Sequence, residues 1–188
     1  MIQEVHMRSV AKGSDLSQLV LTSLMICLIL LGTIMFRIPV PMTQGYVHLG
    51  DAMIYLAVLL LGRRNGAAAS ALGSAMGDIL GGFAFWAPWT LAIKFLMAYV
   101  TATLIRRIES AHKHAVTSSK MGINVKIASA MTAGGLVMCV GYLIAERIMY
   151  GSWALAAISL PWNIGQFAVG IAVTSVVYPL LAGHTVKN

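Results

Sequence analysis

The sequence predicts an all-α integral membrane protein, a compact bundle of about six transmembrane helices with cytoplasmic termini. Three observations predict it. The 188 residues are 59% hydrophobic and only 10% charged, where an ordinary soluble domain carries roughly 25% charged residues. The apolar residues form continuous runs without the alternation of a membrane barrel. The basic residues gather at the termini and in alternate loops, with Arg8, Lys12, Arg63, Arg64, Arg106, Arg107, Lys113, Lys120, Lys126 and Lys187 on one side and Arg37 and Arg147 on the other. Such a bias places the basic side in the cytoplasm. The net charge of +7 therefore reads as a topology signal. No basic face with interleaved aromatics appears, so nucleic acid is not an expected partner.

The chain reads as one membrane domain over 1–188, with a polar lead at 1–15 and the bundle over 16–184. The lead is not a cleavable signal, because no small-residue site closes the apolar run after it. The first span covers about 16–36 and sets Ser23 and Cys27 four residues apart on one face, a spacing that lets another helix approach closely. Pro39, Pro41 and Gly45 then stop the helix and hold an extended outer loop. Two short spans follow, about 47–62 and 66–82, joined by the polar turn Arg63-Arg64-Asn65. Gly73, Gly77 and Gly81 recur every four residues and thin one face of the second of these. Phe83-Ala-Phe-Trp-Ala-Pro-Trp89 forms an aromatic outer loop, and Pro88 suits the first turn of a span at about 89–105. The longest polar loop, 106–126, has solvated central residues, and its His112 and His114 lack a third ligand for a metal. Spans at about 125–148 and 158–181 complete the chain, with Pro161 expected in the first turn of the last. Cys27 and Cys139 lie in apolar runs without metal-like or disulfide-like spacing.

Buried charge marks the candidate site. Asp51 precedes Arg63 by twelve residues, Asp78 follows Arg64 by fourteen, and Lys94 precedes Arg106 by twelve. At the rise of an α-helix all three sit roughly 18–21 Å from the basic ends, at one depth in the outer part of a ~30 Å apolar layer. Each alone at the bilayer centre costs about 2.5–3.5 kcal/mol, so pairing is the economical arrangement, with Lys94 neutralising one aspartate. His48, Asn163 and Gln166 fall at the same outer level, and Trp86, Trp89 and Trp162 edge it. Carboxylates, amides and tryptophans together suit a small, flat, polar heterocycle. A purely structural ion pair beneath interfacial tryptophans is the alternative.

The run from Tyr46 to Lys94 carries a family resemblance. Its features are His48-Leu-Gly-Asp51, Leu61-Gly62-Arg63, Gly73 with Gly77-Asp78 and Gly81-Gly82, Phe85-Trp-Ala-Pro-Trp-Thr90, and Lys94. The run resembles the substrate-binding (S) components of energy-coupling-factor (ECF) vitamin transporters, in the branch of riboflavin, pyridoxine and hydroxymethylpyrimidine carriers. That resemblance implies a multi-pass subunit of the bacterial cell membrane. It would bind a vitamin from outside, in a pocket between the first outer loop and the outer ends of the last three helices. It would dock through its first three helices on a membrane scaffold driven by two ATPases, and topple to deliver its cargo. By that account Asp51 and Asp78 buttress the pocket. Family members usually carry an Ala-x-x-x-Ala docking pair in the first helix, and Ser23 and Cys27 are the closest match here. The small faces at Gly73 and Gly77 extend the expected docking surface.

The expected ligand is a small heterocyclic vitamin or precursor of the pyridoxine or hydroxymethylpyrimidine type, with riboflavin or another micronutrient as the alternative. No catalytic residue, metal or cofactor of its own is expected. The chain has no Walker-type motif, so ATP and Mg belong to partner subunits. An intramembrane enzyme built on Ser74 would lack a histidine at membrane depth, and a ligand-free assembly protein is the remaining class. Nor does any helix show the continuous polar stripe of a channel.

Overall fold

The computed structural model describes residues 15–42, 45–112 and 125–185. The polar lead before Asp15, the loop residues Lys113, His114 and Lys120, and Lys187 lie outside the described residues, as does the side chain of His112. The part of the charge bias that rests on them lies there too.

The helix α1 (Asp15–Met35) buries a single stripe, Met25, Ile29 and Thr33. These are four residues apart, hence on one face. Leu16, Leu19, Val20, Leu24, Leu28 and Leu31 are exposed on the rest of its surface, as suits contact with lipid. Strands β1 (Arg37–Pro39) and β2 (Tyr46–His48) pair antiparallel in the register Arg37↔His48 and Pro39↔Tyr46. The expected extended loop is thus a small hairpin. Because Tyr46 to His48 are drawn into it, the next helix starts at Gly50 and not at Val47.

That helix, α2 (Gly50–Leu80), contains a break at Gly62, where φ is 74° and ψ is −162°. A positive φ is cheap only for glycine. Beyond it the chain doubles back, so that a Cβ on Gly66 would lie 3.0 Å from the Ala57 carbonyl oxygen and the Val58 Cα. In a straight helix those residues would stand about 12 Å apart. The reversal sits at Gly62 itself, and Arg63 and Arg64 already belong to the second arm.

The second arm lies on the buried stripe of α1. A Cβ on Gly73 would come 2.9 Å from the Ile29 Cβ, and one on Gly77 would come 2.6 Å from the Thr33 Cγ2. Their missing side chains let α1 and α2 of the same molecule touch. Ser23 and Cys27 remain exposed on the other side of α1.

Helix α3 (Ala87–His112) begins around Pro88 as expected, and runs a further two turns past the predicted end. It is followed by α4 (Val125–Tyr150) and α5 (Trp153–Thr185). The last helix corrects the sequence reading. Gly151, at φ 69°, turns the chain abruptly. Ser152 Oγ then accepts the Leu155 N–H at 3.4 Å, so helix resumes at Trp153. Pro161 therefore lies in the interior of α5, as does Pro179. Among the described residues, four helices are long and apolar enough to cross a membrane: Asp15–Met35, Ala87–Ser110, Val125–Tyr150 and Trp153–Leu181. The doubled α2 packs against α1, α3 and α5, while α4 joins α3 to α5.

Candidate functional site

The charged residues sort into a buried clamp and a cavity above it. Lys94 and Asp51 are wholly buried, and Lys94 Nζ meets Asp51 Oδ1 at 2.5 Å. The sequence left open which aspartate pairs with Lys94, and the structure selects Asp51. The ammonium also lies 2.9 Å from Met138 Sδ and 5.6 Å from the centre of the Tyr142 ring. The second carboxylate oxygen, Asp51 Oδ2, accepts Gln166 Nε2 at 2.9 Å. A buried ion pair is tolerable only when its remaining polar atoms are met in this way.

Gln166 is thereby oriented. Its Oε1 accepts the backbone N–H of His48 at 2.9 Å, so the amide ties strand β2 to α5 and to the ion pair. His48 Nδ1 in turn accepts the Gly50 N–H at 3.0 Å. This assigns the ring proton to Nε2. Burial, with the Lys94 charge second, pushes the His48 imidazole down to about 3, so it is neutral at physiological pH.

Above the clamp is a narrow cleft with a cavity volume of about 30 Å³. It is lined by Val40, Gly45, Tyr46, His48, Asp78, Trp86, Thr90, Tyr142, Glu146, Ser159, Asn163 and Gln166. The hairpin supplies one wall and α2 to α5 supply the others. Asp78 stands at its edge, with Oδ1 accepting the Tyr46 hydroxyl, while Oδ2 is buried with no hydrogen-bond partner among the described residues. The Tyr46 hydroxyl is held protonated, chiefly by burial and then by the nearby Asp78 charge. Tyr142 OH donates to Thr90 Oγ1 at 3.3 Å. Glu146 is 3% exposed and its Oε2 accepts from Ser159. Trp86, wedged edge-on between Tyr142 and Tyr150 with centroids 6.1 and 6.3 Å away, gives the cleft a flat aromatic wall.

Arg37 ties the end of α1 and the start of the hairpin to the end of α2. It donates to the carbonyls of Thr33 (3.0 Å), Gly77 (2.9 Å) and Gly81 (3.1 Å), and its guanidinium covers the Tyr46 ring at 4.7 Å and the Phe83 ring at 5.5 Å.

The sequence-predicted site residues thus divide. His48, Asp78, Trp86, Asn163 and Gln166 line the cleft. Asp51 and Lys94 lie behind its lining and act on it through Gln166. Trp89 packs on the apolar core. Trp162 edges a different, mainly apolar groove between the end of α1, the hairpin and α5, which His48 and Gln166 also line. Those two residues therefore form a wall shared by the two spaces. Sequence reasoning missed Tyr46, Thr90, Tyr142, Glu146 and Ser159. The one available signal was Tyr142 and Glu146, four apart on a helix and so on one face.

Comparison with known proteins assigns the frame. The family model of the ECF-type riboflavin transporter S component matches residues 14–183. An uncharacterised protein of Pyrococcus woesei is 33% identical over 120 residues, 63% of this chain and 71% of that one. A protein of Lactococcus lactis subsp. cremoris named thiamine precursor transporter HmpT is 28% identical over 155 residues, 82% of this chain and 81% of that one. With nearly its whole length matched, the chain belongs to the ECF-type riboflavin transporter S component family, as a multi-pass transport subunit of the cell membrane and not an enzyme.

Proposed function

We propose that this chain captures a small heterocyclic vitamin or vitamin precursor, of the pyridoxine or hydroxymethylpyrimidine type, at the outer face of the membrane. It hands the ligand to an ATP-driven ECF importer. The observation that carries this reading is the cleft itself: a flat tryptophan, two carboxylates, two amides and a neutral imidazole converge on a confined space at the outer ends of the helices. Such a mixture suits ring stacking plus directed hydrogen bonds. The name of the Lactococcus relative supports a pyrimidine alcohol over riboflavin, and riboflavin or another micronutrient is the second choice.

In this reading α2 contributes two short crossings, its arms meeting at Gly62, and the chain crosses six times with both termini in the cytoplasm. The exposed Ser23–Cys27 face of α1 meets the membrane scaffold subunit, and two ATPase subunits bind and hydrolyse ATP with Mg. The test is reconstitution. The purified chain alone should release a bound heterocycle detectable by mass spectrometry, yet accumulate none in vesicles. Uptake should require the scaffold, both ATPases and ATP. Ser23→Trp or Cys27→Trp should keep binding and abolish uptake. Accumulation by this chain alone, without ATP, would refute the proposal.

A further inference from the structure

The cleft carries two carboxylates and no cation of its own. Asp78 enters from α2 and Glu146 from α4, each 3% exposed, and among the described residues neither forms an ion pair. The nearby basic groups are engaged elsewhere. Lys94 is held by Asp51. Arg37 is taken up by three backbone carbonyls and two rings. Arg147 lies over the Trp153 ring at 5.5 Å.

The neutral donors leave the acceptors unsated. Tyr46 engages Oδ1 of Asp78, and the Thr90 hydroxyl also acts on this carboxyl, but among the described residues Oδ2 is buried without a hydrogen bond of good geometry. The Ser159 hydroxyl lies against both Glu146 Oε2 and the Ala156 carbonyl, with one proton to give. Burying an acceptor without a donor, or a carboxylate without a cation, is costly. The missing partner at both places is therefore a proton or a hydrogen-bond donor, and a ligand can bring the donor.

Resting on the reading above, we infer that this cleft selects an amino-bearing, weakly basic heterocycle, which presents N–H donors or positive charge to Asp78 and Glu146. His48 Nε2–H and the Asn163 amide meet its acceptor groups, and Trp86 supplies the flat contact. A ligand lacking the donors leaves two buried carboxylates unmet, and a site built around buried polar groups discriminates strongly against such analogues. Anionic forms, phosphate esters among them, are excluded by the same charges.

The experiment titrates the full chain in detergent, by calorimetry and tryptophan quenching, with three probes. These are 4-amino-5-hydroxymethyl-2-methylpyrimidine, the same ring with hydrogen in place of the 4-amino group, and riboflavin. Wild type should bind the amine at least tenfold more tightly than the other two. Asp78→Asn, which keeps an acceptor for Tyr46, and Glu146→Gln should each weaken the amine at least tenfold, and change the deaminated ring less than threefold. The comparison of probes on wild type stands even where a variant does not fold. If the deaminated ring or riboflavin binds as tightly as the amine, and keeps its affinity in a folded variant, the donor inference fails while the S-component reading survives. If folded wild type binds none of the three, the inference and the proposed substrate class fail together.

Discussion

Replacing Lys94 by methionine removes the ammonium from a site where it has no substitute. Lys94 and Asp51 are both fully buried with Nζ and Oδ1 2.5 Å apart, so the variant leaves Asp51 with only the Gln166 amide. Stranding one member of a buried pair costs about 3–5 kcal/mol. At ~2–4 °C per kcal/mol for a chain of this size, the unfolding midpoint should fall by roughly 6–20 °C. Asp51→Asn should fall comparably, because it strands the ammonium. The double variant Lys94→Met/Asp51→Asn carries no buried charge, and its asparagine can still accept from Gln166. It should return to within ~2 kcal/mol of wild type, a coupling of at least ~4 kcal/mol in the cycle. Lys94→Met/Asp78→Asn should show no such recovery. Unfolding in mixed detergent, followed by tryptophan fluorescence with all five proteins in parallel, gives the cycle. Additive losses, or recovery with Asp78→Asn instead, would refute the pairing. Because the pair lies behind the cleft lining, the recovered double variant should keep its ligand affinity within about threefold, well short of the tenfold that ~1.4 kcal/mol would produce.

Three further outcomes are expected. Reporter fusions at Ser118 should read cytoplasmic and fusions at Ser152 extracytoplasmic, and the reverse would invert the map of inner and outer ends. Gly73→Leu should destabilise the isolated chain by about 1–3 kcal/mol through overpacking against Ile26 and Ile29, read as a lowered midpoint without any partner present, and an unchanged midpoint would return Gly73 to the docking surface. His48, whose folded pKa is about 3 against about 6.5 for a free imidazole, should make the fold less stable as pH falls from about 6.5 towards 3, because the unfolded chain takes up a proton that the folded one refuses. His48→Asn, which keeps an acceptor for the Gly50 N–H, should flatten that slope, and an equal slope in both proteins would assign it elsewhere.

Helix arithmetic made part of this molecule legible in the sequence. The rise per residue put Asp51 and Lys94 at one depth, and the cost of lone charges demanded pairing, so the clamp was foreseeable without its partner list. The choice between Asp51 and Asp78 was not, because it depends on how α3 rotates against the two arms of α2. Gly73 and Gly77 announced a close helix contact, but spacing alone says nothing of whether the neighbour belongs to the same chain. Pro161 misled because proline favours first turns, and the abrupt turn at Gly151 moved the start of α5 back by about one and a half helical turns. Tyr46, Thr90 and Ser159 stayed silent, since hydroxyls carry no charge to expose them in an apolar run, and their role comes only from long-range packing.

The separation of Asp51 from Lys94 along the chain has a consequence for how the protein is made. The carboxylate on the first arm of α2 emerges from the ribosome 43 residues ahead of the ammonium that neutralises it. In the interval the second arm already has a resting place, since α1 has preceded it and offers the Ile29–Thr33 surface to Gly73 and Gly77. The first arm meets α1 only at its start, where Gly32 and Thr33 lie against Gly50, and its counter-charge on α3 and the Gln166 amide on α5 are still unsynthesised. Packing of this hairpin is therefore provisional until α3 arrives, and it is completed only by the last helix. A translation arrest placed before Lys94 should leave Tyr55 and its neighbours open to aqueous labelling, and one placed after Gln166 should close them.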